Sequence, residues 1–402
     1  MNRNKIKFLF LNIGHFLVHL FMLIFASVAA LRLTIDWDIS YASLIPYATT
    51  SFVAFGVCAL LAGWLADKWS REGMMVIFFI GTGASSVLSS MANNPFQIAV
   101  GLTFIGVFAA IYHPVGIAMV VEGRRKMGLP LAINGVFGNM GIASVTLLTG
   151  FLIDTLGWRA AFIVPGVVSI LLGVLYLLFI RTERQPDVIT SVVELNKTEP
   201  TPVQGNNLLR FFFVILFTTA VGGLIVQSTT FSLPKVFEER LTDLAGTATM
   251  IGWYAFLVFS VAALAQLVVG YLVDKYSIRT VFAVVALLQA ALFSIVTQLS
   301  GIALLIVTIA FMLVVFGQIP INDVLVGRIV RSEWHSRAFA LSYIVSFTVM
   351  ALTVPLIAWI HRSWGFSRLF GLLAVAALLI FFAVIFLPNL EKAASRRFLS
   401  AK

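Results

Sequence analysis

The chain has 402 residues, of which 60% are hydrophobic and 11% are charged. A soluble globular domain carries about 25% charged residues, so this composition excludes an ordinary soluble protein. The formal net charge of +10 is compatible with a nucleic-acid partner when taken alone. Most of the basic residues, however, fall on one side of a predicted membrane, which excludes that interpretation.

Uncharged stretches predict twelve membrane-spanning helices, since each helix needs about 20 apolar residues. Eight stretches hold one helix each, and they lie between Lys7 and Arg32, Asp38 and Asp67, Lys126 and Asp154, Arg159 and Arg181, Arg210 and Lys235, Asp243 and Asp274, Arg337 and Arg362, and Arg368 and Glu391. Two longer stretches, Glu72–Glu122 and Arg279–Asp323, are each predicted to hold two helices. The first divides near Asn94 and the second near Ser300. The fold class is therefore predicted to be all-α and multi-pass, with six transmembrane helices in each half.

The basic residues indicate on which side of the membrane each loop lies. With the N-terminus inside, six of the 27 Lys and Arg residues fall outside, namely Arg32, Arg159, Lys235, Arg240, Arg362 and Arg368. This is the positive-inside distribution of an inserted membrane protein. The sequence therefore predicts a cell membrane of the bacterial inner-membrane type, with both termini cytoplasmic and the lipid bilayer as partner instead of nucleic acid.

Polarity along the chain predicts four segments. Residues 1–181 form an N-terminal six-helix bundle, and residues 208–390 form a C-terminal one. Residues 182–207 are polar and contain three prolines, and are expected to be a cytoplasmic linker because they offer too little apolar surface for a core. Residues 391–402 are a short cytoplasmic tail. The first span exceeds the 7–15 apolar residues of a cleaved signal peptide and is expected to be retained.

One short pattern occurs twice, half a chain apart. Gly63-Trp64-Leu65-Ala66-Asp67-Lys68-Trp69-Ser70-Arg71 is repeated as Gly270-Tyr271-Leu272-Val273-Asp274-Lys275-Tyr276-Ser277. The first glycines of the two copies are 207 residues apart in a chain of 402. Two duplicated halves can rock about a shared central site, which is what an alternating-access transporter requires. The two bundles are therefore expected to be pseudo-symmetric.

The repeated turn resembles the signature of the major facilitator superfamily, Gly-x-Leu-x-Asp-(Lys/Arg)-x-Gly-(Arg/Lys), which lies between helices 2 and 3. Ser70 takes the place of the second glycine in this chain. A second pattern of the superfamily follows helix 5, and it is matched by Gly150, Asp154, Gly157, Trp158, Arg159 and Phe162. A degenerate copy, Gly365–Phe370, precedes helix 12. The resemblance implies the twelve-helix fold of that superfamily and a secondary transporter.

In the superfamily the signature turn latches the two halves in one conformational state. The resemblance implies this role above all for Asp67 and Arg71, and a plain solvated turn is the alternative. The full set expected to form the latch is Gly63, Asp67, Lys68, Arg71, Asp274, Lys275, Glu122 and Arg125.

Polar side chains within the spans mark a candidate site, because ionisable groups in a membrane are costly and usually functional. Superfamily architecture places helices 1, 4, 7 and 10 around the cavity. We expect substrate contacts from Asn12, His15 and His19 on helix 1, Tyr112 on helix 4, Gln227 on helix 7, and Gln318 and Asn322 on helix 10. We expect proton exchange at His113 and Asp323. Each of these two also has a structural explanation, a bond to a backbone carbonyl for His113 and an ion pair with Arg331 for Asp323.

The chemistry of these groups restricts the solute. No Lys or Arg lies deep within a span, which argues against phosphate esters and dianions, because a buried anion needs a paired cation. Histidine and a carboxylate suit proton coupling. The predicted function is secondary transport of a small neutral, zwitterionic or amphiphilic organic solute by alternating access, coupled to protons, by a monomer without a cofactor. Gly14-His15-Phe16 and Tyr112-His113-Pro114 are similar to triplets of the fosmidomycin-resistance branch of efflux carriers.

Two other functions remain open from the sequence. A transition-metal carrier is one, because His15 and His19 at i, i+4 can share an ion that His113 or Asp323 completes. Only one well-placed carboxylate offsets the ion's charge, and no resident metal is predicted. A transporter-like solute sensor is the other, although the linker and tail offer little effector surface. The chain is not expected to be an enzyme, since no nucleophile–base pair, phosphate loop or closed metal cage is recognisable.

Overall fold

In the computed structural model, the described residues are 3–124, 127–182, 206–329 and 335–386. All regular structure within these ranges is helical. The helices of the first half are α1 (Arg3–Asp36), α2 (Tyr41–Lys68), α3 (Arg71–Ser90), α4 (Pro95–Val121), α5 (Gly128–Leu156) and α6 (Trp158–Arg181). Those of the second half are α7 (Asn206–Arg240), α8 (Ala248–Lys275), α9 (Ile278–Val296), α10 (Gly301–Ile329), and α11 and α12, which share the stretch His335–Ile385.

The last helical stretch accounts for two membrane spans. Within the described chain, eleven stretches are long and apolar enough to cross a membrane, and the last of them, Ile344–Ile385, has 42 residues. At 1.5 Å per residue it is about 60 Å long, twice the hydrocarbon thickness of a bilayer. Its backbone is broken at Gly365, so that α11 ends at residue 364 and α12 begins at 366. The described residues therefore contain twelve spans, the number that the sequence predicts.

The turn before the last helix of each half has the same backbone conformation. Gly157 has φ 86° and ψ 166°, and Gly365 has φ 71° and ψ −175°. Positive φ is accessible to glycine without a steric cost, which explains the residue type at both positions. The aromatic residue that follows is buried in both copies, Trp158 at 4% and Phe366 at 2% exposure. Because the two glycines are 208 residues apart in the sequence, they support the predicted pseudo-symmetry of the two six-helix halves.

Polar residues before α3 and α4 fix where these helices begin. The Ser70 side chain accepts a hydrogen bond from Gly73 N at 3.0 Å, and Asn94 Oδ1 accepts one from Gln97 N at 2.9 Å. Such caps satisfy amide groups that have no partner within the helix. Ser70 has an extended backbone that needs no glycine, which explains why serine is compatible with the signature turn.

The described chain forms two compact units. The first contains α1 to α6 together with Phe231–Ser260 and Val354–Trp359, and the second contains α7 up to Thr230, Val261–Thr353 and the chain from Ile360 onward. In the first unit α1 packs against α5, α3 against α6, and α4 against α2 and α3. In the second, α9 packs against α10. All of the predicted tail and most of the predicted linker lie outside the described residues.

A close crossing of α1 and α5 positions the candidate site. A Cβ added at Gly141 would lie 2.2 Å from the backbone oxygen of Phe16, and one at Gly138 would lie 2.7 Å from His15 Nε2. Small residues allow helix backbones to approach closely in membranes. A Cβ at Gly135, one turn earlier, would meet open space. Of these α5 glycines, Gly138 and Gly141 therefore face α1, and Gly138 borders a histidine.

Candidate functional site

Three histidines come together in the first unit, and α1 and α4 supply them. His15 and His19 are four residues apart on α1, so both project from one face of the helix. His113 lies in a π-helical turn of α4, Tyr112–Gly116, that contains Pro114. Proline lacks the amide hydrogen of a regular helix, and π-turns frequently occur at functional sites. The helical winding of α4 therefore changes at Pro114, next to His113.

The three imidazoles are in mutual contact. His15 Nε2 lies 3.3 Å from His19 Nε2. The ring centroid of His113 is 5.4 Å from that of His15 and 5.5 Å from that of His19, with steep interplanar angles. The Phe55 ring of α2 lies edge-on to His113 with centroids 5.9 Å apart. An aromatic side chain thus borders the imidazole cluster.

A buried hydrogen-bond network orients His15. His15 Nδ1 lies 2.8 Å from the backbone oxygen of Asn134, and the Tyr112 ring is stacked on His15 at 5.0 Å. The Tyr112 hydroxyl donates to the backbone oxygen of Leu11 at 2.7 Å. The Asn134 side chain donates to Asn12 Oδ1 at 2.9 Å. Asn12, Tyr112 and His15 are therefore brought together, and Asn134 of α5 links them.

A second polar cluster lies in the second unit, on α7, α9 and α10. Gln289 Nε2 donates to Gln318 Oε1 at 2.8 Å, and Thr218 Oγ1 lies 3.4 Å from Asn322 Oδ1. Gly222 makes room for this cluster, because a Cβ there would lie 2.5 Å from Gln318 Nε2. Gln318 and Asn322, both predicted from the sequence, therefore lie against the same face of α7.

Several buried amide atoms of the second unit have no hydrogen-bond partner among the described residues. They are Gln227 Nε2, Gln289 Oε1 and Gln318 Nε2. Native proteins pair most of their buried polar atoms, and an unpaired one needs an explanation. Binding of a polar solute is one. Asp323 lies within α10, but its side chain is outside the described part of the structure, and its predicted role remains a prediction.

The signature turn forms an ionic cluster in the first unit. Arg71 contacts Asp67 at 3.0 Å and Glu122 at 3.3 Å. Lys7 of α1 contacts Glu72 at 2.8 Å and Glu122 at 4.0 Å. The cluster therefore connects α1, α2 and α3 with the end of α4. Arg125, which was expected to take part, lies outside the described residues.

The other expected latch residues are placed at helix ends or helix crossings. A Cβ at Gly63 would lie 3.3 Å from Pro114 Cβ, so this glycine lies against the π-turn of α4. Lys68 ends α2 and is exposed. Asp274 and Lys275 end α8, where the Lys275 ammonium lies 5.6 Å from the centroid of the Tyr276 ring.

Four neighbours of the site were not predicted from the sequence: Asn134, Phe55, Gln289 and Thr218. Asn134 and Gln289 are amides within largely apolar helices, and both are buried. Because a polar group in a membrane span is costly, Asn134 and Gln289 could have been identified from the sequence as candidate site residues. No comparable signal exists for Phe55, one of 36 phenylalanines in the chain.

The chain resembles known proteins in sequence and in fold. A gallate transporter of Pseudomonas putida is 24% identical over 279 residues, which are 62% of this chain and 61% of the relative. A multidrug resistance protein MdtG of Enterobacter lignolyticus is 25% identical over 220 residues, 54% of this chain and 50% of the relative. The chain thus aligns with about half to three fifths of the length of these relatives. The crystal structure of a D-xylose–proton symporter has a TM-score of 0.73 at 13% identity and covers 95% of this chain and 97% of its own.

The profile of the Major Facilitator Superfamily matches residues 11–242 and 238–401. Together the two matches span nearly the whole chain, and each corresponds to about one half of it. The protein is a multi-pass membrane protein and belongs to the Major Facilitator Superfamily.

Proposed function

We propose that this protein moves a small neutral, zwitterionic or amphiphilic organic solute across the cell membrane by alternating access, driven by the proton gradient. The observation that carries the proposal is a set of buried amides in the second unit, since Gln227, Gln289 and Gln318 each retain a polar atom without a hydrogen-bond partner among the described residues. A solute with hydroxyl, carbonyl or amide groups can pair these atoms. The imidazoles and Phe55 of the first unit add polar and aromatic contact surfaces.

The substrate class follows from the charge of these groups. Both clusters consist of neutral or weakly basic side chains, and no Lys or Arg lies deep within a span. One relative is named a gallate transporter, and gallate is an aromatic organic molecule. This favours an organic solute for the present protein. Proton coupling is supported by the fold shared with a proton symporter, and His113 and Asp323 remain its predicted candidates. The proposal also includes that the protein is a monomer and that both of its termini are cytoplasmic.

Transport by the purified full-length protein in liposomes tests the proposal. The liposomes contain a pH-sensitive dye and are offered a panel that includes gallate, amphiphilic drugs, sugars and divalent metals. We expect one organic class to change the internal pH upon addition, and to accumulate only when a proton gradient is imposed. Solute movement that is identical with and without the gradient contradicts coupling, and movement of metals alone contradicts the solute class.

A matched pair of variants links transport to the amide cluster. Gln318→Leu removes the buried amide, and Gln298→Leu makes the same chemical change at an exposed position after α9. We expect Gln318→Leu to raise KM at least tenfold, since an unmade hydrogen bond to a buried group costs about 1–3 kcal/mol. Gln298→Leu is expected to behave as the wild type. Equal KM values for the two variants would remove Gln318 from the substrate site.

A further inference from the structure

The imidazole cluster has the composition of a metal centre as well as of a polar contact surface. His15, His19 and His113 each offer one ring nitrogen, and these three nitrogens all lie within 4.8 Å of one another. All three residues lie in described helices, and His15 is 9% exposed. Neutral imidazole is the commonest metal ligand in proteins.

The hydrogen bond to Asn134 fixes the tautomer of His15. A backbone carbonyl oxygen can only accept a hydrogen bond, so His15 Nδ1, at 2.8 Å, carries the proton and donates it. In the neutral ring, Nε2 is then unprotonated and its lone pair points toward His19. Metal-binding histidines usually have this arrangement, in which the second ring nitrogen donates to a carbonyl or carboxylate that orients the ring.

The spacing of the two α1 histidines fits a shared ion. Zinc–nitrogen bonds are about 2.0–2.1 Å long in tetrahedral sites, so two nitrogens on the same ion lie about 3.3–3.4 Å apart. His15 Nε2 and His19 Nε2 are 3.3 Å apart. One turn of α1 therefore presents two ligand atoms at the separation that a tetrahedral ion requires.

His113 provides the third ligand from a different helix. Its nitrogen lies at most 4.8 Å from the other two. To reach the 3.3 Å spacing of the His15–His19 pair, it has to approach them by no more than about 1.5 Å, which a side-chain rotation provides. The rings of His15 and His113 are nearly perpendicular, at 88°. Three protein ligands leave the fourth tetrahedral position open.

We propose that His15, His19 and His113 bind one divalent transition-metal ion of the zinc, cobalt or nickel class, with water or solute at the fourth position. Imidazole favours these ions, whereas calcium and magnesium require oxygen ligands. The ion is a bound ligand that links α1 to α4, and it is not the transported solute. The proposal can be tested separately from the proposed function, since binding can be measured without transport.

Cobalt titration of the full-length protein, purified in detergent without a polyhistidine tag, tests the site. Four-coordinate Co²⁺ has strong visible absorption bands, whereas six-coordinate Co²⁺ has weak ones. We expect strong bands that saturate at one ion per chain and disappear when Zn²⁺ is added. Weak bands only, or a stoichiometry unrelated to one ion per chain, would overturn the proposal.

Five variants assign the ligands and control for surface binding. We expect His15→Ala, His19→Ala and His113→Ala each to weaken Co²⁺ binding at least tenfold, and His361→Ala, in α11, to leave it unchanged. Gly138→Ala keeps all three ligands but places a methyl group against His15 Nε2, so it is also expected to weaken binding. Thermal unfolding without metal shows whether each variant is folded. Folded histidine variants that bind Co²⁺ like the wild type contradict the assignment.

Discussion

Asp154 and Thr249 form a two-point hydrogen-bonded contact between the end of α5 and the start of α8. Asp154 Oδ2 accepts the backbone N–H of Thr249 at 2.7 Å and its hydroxyl at 2.5 Å. The amide groups of a first helical turn have no partner within the helix. The carboxylate of one helix thus caps another helix, and the sequence distance between them is 95 residues. The backbones are close here, since a Cβ at Gly150 would lie 2.3 Å from Ala248 O.

The cap predicts the stability of an Asp154 variant. Asp154→Ala removes both hydrogen bonds, and we expect the free energy of unfolding to fall by about 0.5–2 kcal/mol, the usual effect of losing a helix cap. A double-mutant cycle with Thr249→Val separates the hydroxyl bond from the backbone bond. We expect a coupling energy of at least about 0.5 kcal/mol, measured by thermal unfolding in detergent. Additive effects of the two substitutions would show that the hydroxyl bond contributes nothing.

The close crossing of α1 and α5 predicts opposite effects for two glycines of α5. Gly141→Ala places a methyl group 2.2 Å from the backbone oxygen of Phe16, and we expect overpacking to destabilise the protein by about 1–3 kcal/mol. Gly135→Ala enters open space, and is expected to be neutral or slightly stabilising, because alanine is the better helix former. Thermal unfolding of the two variants checks this. Equal melting temperatures would mean that α1 and α5 can separate without cost.

Neighbouring glycines of α7 test the amide cluster with a minimal change. A methyl group at Gly222 lies 2.5 Å from Gln318 Nε2, whereas one at Gly223 meets its nearest neighbour, Val349, at 3.8 Å. We expect Gly222→Ala to displace the Gln318 amide and to raise the KM for the transported solute. Gly223→Ala is expected to leave KM unchanged. Uptake into liposomes measures both, and a KM that is unchanged in Gly222→Ala would place the solute elsewhere.

The ionic cluster at the signature turn is expected to matter more for transport than for stability. The Arg71, Asp67 and Glu122 side chains are 38%, 67% and 49% exposed, and exposed ion pairs contribute about 0.2–1 kcal/mol. Arg71→Ala is therefore expected to change the free energy of unfolding by less than about 1 kcal/mol while reducing the transport rate severalfold, because the latch is lost. Lys5→Ala removes an exposed charge of α1 and serves as the control. A wild-type rate in Arg71→Ala would contradict the latch.

The sequence by itself determined the number of spans, their order and the duplication. Apolar stretches of sufficient length can only cross a bilayer as helices, and the paired turns at Gly63 and Gly270 mark the two halves. Helical periodicity also placed Asn12, His15 and His19 on one face of α1, because residues three and four apart project together.

Only the tertiary structure decided which helix faces meet. Asn134 fixes the orientation of His15, and Gln289 pairs with Gln318 across two helices. In each pair the two residues are far apart in the sequence. Helical periodicity specifies a face but not its neighbour, since the neighbour depends on small residues such as Gly138 that permit close approach. The tautomer of His15, and with it the geometry that favours a metal ion, is a consequence of that packing.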